Sequence, residues 1–148
     1  MTKQELDAAL AAFGVRDIRE LNPLQMAYIG DTVHDLYVRS LLLSRGMTVG
    51  RMHRQAIRMV SAAAQAAMLK AIEAELTEQE ADIVRRGRNA QPKHAAPNNA
   101  DPADYAHATG LEALWGYLYL SARTERLDTL IRLALMRTED IWQKQNSR

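Results

Sequence analysis

The chain reads as an all-α protein, and three observations carry that prediction. Apolar residues recur at three- and four-residue steps through most of the sequence, the spacing of a helix with one buried side. Helix-start signals precede these runs: Thr2 with Glu5, Asn22 with Pro23 and Gln25, Thr77 with Glu80, and Asp101 with Pro102. No segment reads persuasively as a strand.

The first predicted helix is short, with Leu6, Leu10 and Phe13 as its apolar stripe and Gly14 as its stop. A polar link through Arg16 and Glu20 leads to the stretch around which the rest is organised, NPLQMAYIGDTVHDLYVRSLLLSRG, residues 22 to 46. Asn22 caps its first free amides, Pro23 suits the first helical position, Gln25 completes a capping box, and Gly46 is a left-handed stop. Ile29, Val33, Leu36 and Leu43 are its expected core face. Thr48 restarts the chain into a helical segment from Val49 to Leu76, rich in alanine, with Gly50 or a neighbouring turn as the place where it divides. Thr77 opens a short helix carrying Ile83 and Val84, which fades into RRGRNA. Residues 89 to 100, with two prolines and three asparagines, read as loop. The helix after Asp101 carries Leu111, Leu114, Trp115, Leu118 and Tyr119 on its apolar side. A final helix from about Thr124 to about Gln143 is expected to bury Leu127, Leu130, Ile131, Leu133, Ala134 and Ile141.

A chain of 148 residues is long enough for one domain with a real core, and neither an internal repeat nor a second domain is visible. The absence of cysteine excludes disulfides and thiolate metal sites and suits a reducing cytoplasm. No apolar run is long enough to cross a bilayer and the amino terminus lacks a secretory pattern, so a cytoplasmic protein without membrane contact is expected. Nineteen basic residues against eighteen acidic give a formal charge of +1. Bulk charge therefore does not hold nucleic acid, and any such contact must come from local patches.

Two carboxylates stand out because their neighbours are apolar. Asp31 follows Gly30 between Ile29 and Val33, and Glu112 sits among Leu111, Ala113 and Leu114 on a separate helix. Folding can bring them together as hard oxygen ligands for magnesium, which is commonly held by one or two carboxylates plus substrate phosphate and can then assist phosphodiester hydrolysis. Solvated helix charges or salt-bridge partners fit the same spacing, and spacing alone leaves both open.

The motif YIGDTV at 28 to 33 resembles the signature helix of ribonuclease III, in which a Gly-Asp pair presents a metal-binding carboxylate. TGLEALWGYLYL at 109 to 120 is similar to that family's second acidic helix. With RRGRNA between them, the combination resembles the short form of the family called Mini-III, a catalytic domain without a double-stranded-RNA-binding domain, over about residues 20 to 140 of a single domain spanning 1 to 148. Where the larger ribonuclease III pattern carries further acidic residues before Asp31 and Glu112, this chain has Leu24, Ala27 and Thr109, as Mini-III proteins do.

The resemblance implies a helical bundle that forms a homodimer, with one RNA duplex in the valley between protomers and each protomer cutting one strand. It implies a metal-dependent endoribonuclease, with Asp31 and Glu112 as catalytic and metal-binding residues, magnesium as the cofactor and manganese able to substitute. Asp35, one turn after Asp31, and Thr109 are candidates for the surrounding shell. The expected reaction is attack of water on phosphorus with the 3′-oxygen leaving, giving 5′-phosphate and 3′-hydroxyl ends. The expected substrate is the precursor of 23S ribosomal RNA at the duplex formed by its two ends, with a ribosomal protein as a further assisting partner.

Arg85, Arg86, Arg88, Asn89, Lys93 and His94 crowd one helix end and the loop after it, a pattern suited to phosphates and 2′-hydroxyls of A-form RNA and equally to a solvated helix end. Arg51, His53, Arg54 and Arg58 form a second cluster with weaker claim, since such arginines commonly make surface salt bridges. His34-Asp35 looks like the HD dipeptide of phosphohydrolases, but no earlier histidine exists to complete that site. Tyr28, Tyr37, Trp115, Tyr117 and Tyr119 read as core or subunit-interface residues rather than base-stacking platforms. The competing function is a catalytically inactive helical module that binds RNA or a ribosomal protein.

Overall fold

A computed structural model describes residues 2–12, 17–90 and 101–143 of the chain. The described residues form eight α-helices and no strand: α1 (Lys3–Ala12), α2 (Pro23–Ser44), α3 (Val49–Met59), α4 (Ala62–Ile72), α5 (Glu78–Asn89), α6 (Pro102–Leu120), α7 (Thr124–Arg137) and α8 (Glu139–Gln143), with short 3-10 turns before α2 and after α4.

The local signals at helix starts act as expected because each depends on residues three positions apart. Thr2 and Glu5 exchange side-chain and backbone hydrogen bonds at α1. Asn22 and Gln25 do so at α2, with Pro23 following the cap. Thr77 and Glu80 repeat the box at α5, and Asp101 caps α6 ahead of Pro102. Gly46 takes a left-handed φ of 69° just after α2.

Two expected helices are divided. The segment after Thr48 breaks at Val60 rather than near Gly50, because the Ser61 side chain accepts from the Ala64 amide and starts α4. The last segment breaks at Thr138, whose buried hydroxyl donates to the Ala134 carbonyl and separates α7 from α8. Only Leu6 of the expected α1 stripe has a described side chain, and it is buried; Phe13 and Gly14 lie outside the described residues.

The core is built round α6, which packs against α2, α4, α5 and α7. Leu111, Leu114, Trp115 and Leu118 are wholly buried and meet Val38 and Leu42 of α2, Met68 and Leu69 of α4, and Ile131 of α7 in one apolar cluster. Each such side chain contributes about 1.5–3 kcal/mol, more than a typical cap, so this cluster rather than the capping boxes decides how the helices assemble. The core face of α2 differs from the one its period suggests. Val33 is buried, but Leu36 and Leu43 are 62% and 68% exposed, and the inward positions are Met26, Ala27, Gly30, His34, Val38 and Leu42. Ile141 is likewise exposed, at 46%, while Trp142 beside it is buried.

Candidate active site

The meeting of α2 and α6 is a contact between backbones. A Cβ on Gly30 would overlap the Glu112 carbonyl oxygen, and a Cβ on Gly116 would overlap the Met26 carbonyl oxygen. Glycine is required at both positions because no side chain fits between the two main chains. The closeness has a chemical result. Asp31, next to Gly30, comes close enough to Glu112 for the two carboxyls to interact.

This pair has no counter-charge among the described residues: neither carboxyl belongs to any of the ion pairs the chain forms. Burial pushes the Glu112 carboxyl up to about 9, with the Asp31 carboxyl adding to the shift. Glu112 is half-buried while Asp31 is exposed, so the pair opens on solvent from one side. No group of three or more His, Asp or Glu side chains gathers as a metal cluster among the described residues. The donor set is therefore two oxygen ligands on an open face, which leaves room for water and for a substrate oxygen. That arrangement fits a hard divalent cation, whose charge would remove the repulsion within the pair.

The other predicted residues fall into distinct settings. Asp35 binds Arg39 one turn along α2 at 2.9 Å, so its carboxylate already has a cation. Thr109 is buried and donates its hydroxyl to the Tyr105 carbonyl at 3.0 Å. Arg85 pairs with Asp82 on its own helix, whereas Arg86, Arg88 and Asn89 are exposed at the end of α5. Lys93 and His94 lie outside the described residues. Arg88 is tied closely to the site helix: a Cβ on Gly110 would come within 2.8 Å of the Arg88 Cγ and of the Val84 carbonyl, so the arginine stem runs across α6 two residues before Glu112. Gly87 makes the reciprocal approach, its absent Cβ leaving space for Ala113. The glycine in RRGRNA thus lets that basic helix pack closely on the helix that carries Glu112. Arg51, His53 and Arg54 are exposed on α3, with His53 beside Arg39 in a shallow groove between α2 and α3.

His34 was no candidate by its motif, yet it is fully buried between α2, α3 and α6. Burial holds its pKa below the ordinary value. Trp115 and Tyr117 are buried and Tyr37 and Tyr119 partly so, while Tyr28 is 80% exposed on the solvent side of α2.

The chain is similar to known proteins. The family described as Ribonuclease III domain matches residues 24–123, which include both carboxylates. The Mini-ribonuclease 3 of Symbiobacterium thermophilum is 53% identical over 115 residues, covering 77% of this chain and 88% of its own length. That of Enterococcus faecalis is 41% identical over 133 residues, covering 88% of this chain and 100% of its own length. A crystal structure of a Fusobacterium nucleatum protein superposes with a TM-score of 0.73 at 28% identity, over 81% of this chain and 96% of that one.

Proposed function

The chain belongs to the ribonuclease III family and is an endoribonuclease of that family, and from that premise we propose that it hydrolyses double-stranded RNA with magnesium held by Asp31 and Glu112. Family members act on double-stranded RNA and generally depend on a divalent metal. The observation that carries the reading for this chain is the carboxyl pair itself: two acids brought together by Gly30 and Gly116, with Glu112 raised to about 9 and neither acid in an ion pair among the described residues.

Bound magnesium, or manganese in its place, supplies a Lewis acid for the phosphodiester and a lowered pKa for the attacking water. The chain does the positioning. Asp31 comes from α2 and Glu112 from α6, so the crossing of two rigid helices sets their separation. Arg86 and Arg88 lie along the phosphates, and Asn89 takes a 2′-hydroxyl or phosphate oxygen. Lys93, His94 and the α3 residues Arg51, His53 and Arg54 extend the same contact in this proposal. Water adds to phosphorus as the bond to the 3′-oxygen breaks, leaving 5′-phosphate and 3′-hydroxyl ends.

Two copies are proposed to share one duplex, each cutting one strand. The support is the exposed apolar side of α2, where Leu24, Tyr28 and Leu36 stand on the helix that carries Asp31. The natural substrate proposed is the precursor of 23S ribosomal RNA in the cytoplasm, at the stem formed by its ends, with a ribosomal protein assisting. The test is incubation of a short end-labelled duplex with purified protein and magnesium, beside EDTA and an Asp31→Asn variant. Paired cuts that need both magnesium and Asp31 are expected. A wild type that binds the duplex and never cuts it would overturn the reading in favour of a binding module.

A further inference from the structure

The two carboxylates are not the only side chains that link α2 to α6. Three residues after Asp31 stands His34, and three residues after Glu112 stands Trp115, both with no exposed surface. The Trp115 indole N–H lies 3.2 Å from His34 Nδ1. An indole nitrogen can only donate, so Nδ1 accepts and the ring proton must sit on Nε2. That nitrogen lies 3.1 Å from the Met59 carbonyl at the end of α3 and donates to it. Both ring nitrogens are therefore used, one tautomer is selected, and three helices are pinned to one imidazole.

We propose that the His34–Trp115 hydrogen bond sets the separation of Asp31 and Glu112, making His34 a positioning residue for metal binding and catalysis. The physical need arises from how the helices meet. Gly30 and Gly116 let the main chains approach, but contact between a glycine and a carbonyl does not by itself fix how far one helix slides or turns on the other. Asp31 is exposed, and among the described residues its carboxyl has no donor from the chain other than Glu112, so it inherits its place from the backbone of α2. A directional bond buried one turn away supplies what the glycines lack. Misplacement by about 1 Å is enough to cost on the order of a hundredfold in rate, so a small slip matters.

This inference rests on the reading of Asp31 and Glu112 as metal ligands, and the experiment separates the two. Manganese binding is followed by electron paramagnetic resonance on the full chain, with kcat, KM and duplex affinity in EDTA measured below each variant's Tm. His34→Phe removes both ring bonds, Trp115→Phe removes the donor alone, and His34→Gln can restore an acceptor and a donor. Gln55→Leu is the control, since it deletes a buried bond to the Trp142 carbonyl that joins α3 to α8. Manganese affinity is expected to fall about tenfold in His34→Phe and in Trp115→Phe. The combined loss should be less than the product, kcat should fall with it, and duplex affinity should hold within about twofold. His34→Gln should recover part of the loss and Gln55→Leu should show none. Should His34→Phe fail to fold, Trp115→Phe carries the test. Manganese affinity in these variants equal to that of Gln55→Leu overturns the inference while leaving the metal site intact. A wild type that binds no more manganese than Asp31→Asn overturns the metal reading and this inference with it.

Discussion

Glu80 and Glu112 sit on neighbouring helices, both with carboxyls drawn into the protein, and their settings are opposite. Glu80 has its side chain 2% exposed and meets the Arg126 guanidinium twice, at 2.8 and 2.9 Å, while also closing the Thr77 capping box. The Arg126 hydrogen bonds hold its carboxyl below the ordinary range. Among the described residues Glu112 has only another acid as its charged partner, and it is driven up to about 9. A buried carboxyl whose partner comes from the chain serves the architecture. One that the chain itself leaves uncompensated lowers stability, and such sites persist where they have chemistry to perform.

The largest expected effect comes from removing the acidity at the second site. Asp31→Asn or Glu112→Gln should lower cleavage of a duplex by about 10³-fold or more, equivalent to the several kcal/mol a metal contributes to the transition state. Single-turnover rates measure it, and the same variants should bind duplex as the wild type does. At Glu80 the balance reverses. Arg126→Met should destabilise the fold by about 2–3 kcal/mol in urea titrations, because it strands a buried carboxylate; the figure stands below that of a fully enclosed pair since Arg126 is about a third exposed. Adding Glu80→Gln to Arg126→Met should return most of that loss. A substantial loss that persists in the double variant would mean packing, not charge, holds this corner.

Acidity should then separate the two glutamates by sign. The folded pKa of Glu112 lies above its ordinary 4.5, so the free protein holds a proton there that the unfolded chain releases. In EDTA its contribution to stability is full below about 4.5 and is lost as pH rises toward about 9. Glu112→Gln should consequently exceed the wild type by about 1–2 kcal/mol at pH 8, with the gap closing toward pH 5. Glu80 has a lowered pKa, so its contribution is present above the ordinary carboxylate range and is lost as pH falls. The smallest effect is the most specific: divalent metal binding at pH 7 should release about one proton, read by calorimetry in buffers of different ionisation enthalpy, and Glu112→Gln should release none.

The legible parts of this molecule are those with short physical range. Asn22 with Gln25 and Thr77 with Glu80 declared their helices because a cap satisfies amides only a turn away. Ser61, which starts α4, and Thr138, which ends α7, carried the same chemistry inside segments whose apolar period ran on without interruption, so the period concealed the breaks. Leu36 and Leu43 on α2 show another limit, since a three- and four-residue repeat says which residues share a side and not what covers it. His34 gave no warning, because its role depends on Trp115 and on a backbone carbonyl 25 residues away.

By itself the sequence determined an all-helical chain and most helix starts, and it pointed to Asp31 and Glu112 through the motifs around them. Only the tertiary structure decided that the two acids meet and that Asp35 is held by Arg39 instead. It also decided that Arg88 lies across Gly110 on the Glu112 helix, and that a buried histidine bridges the helices of the two acids. Helix starts follow from hydrogen bonds within a few residues. The site follows from two glycines 86 positions apart in the chain, Gly30 and Gly116, whose missing side chains matter only once the helices cross.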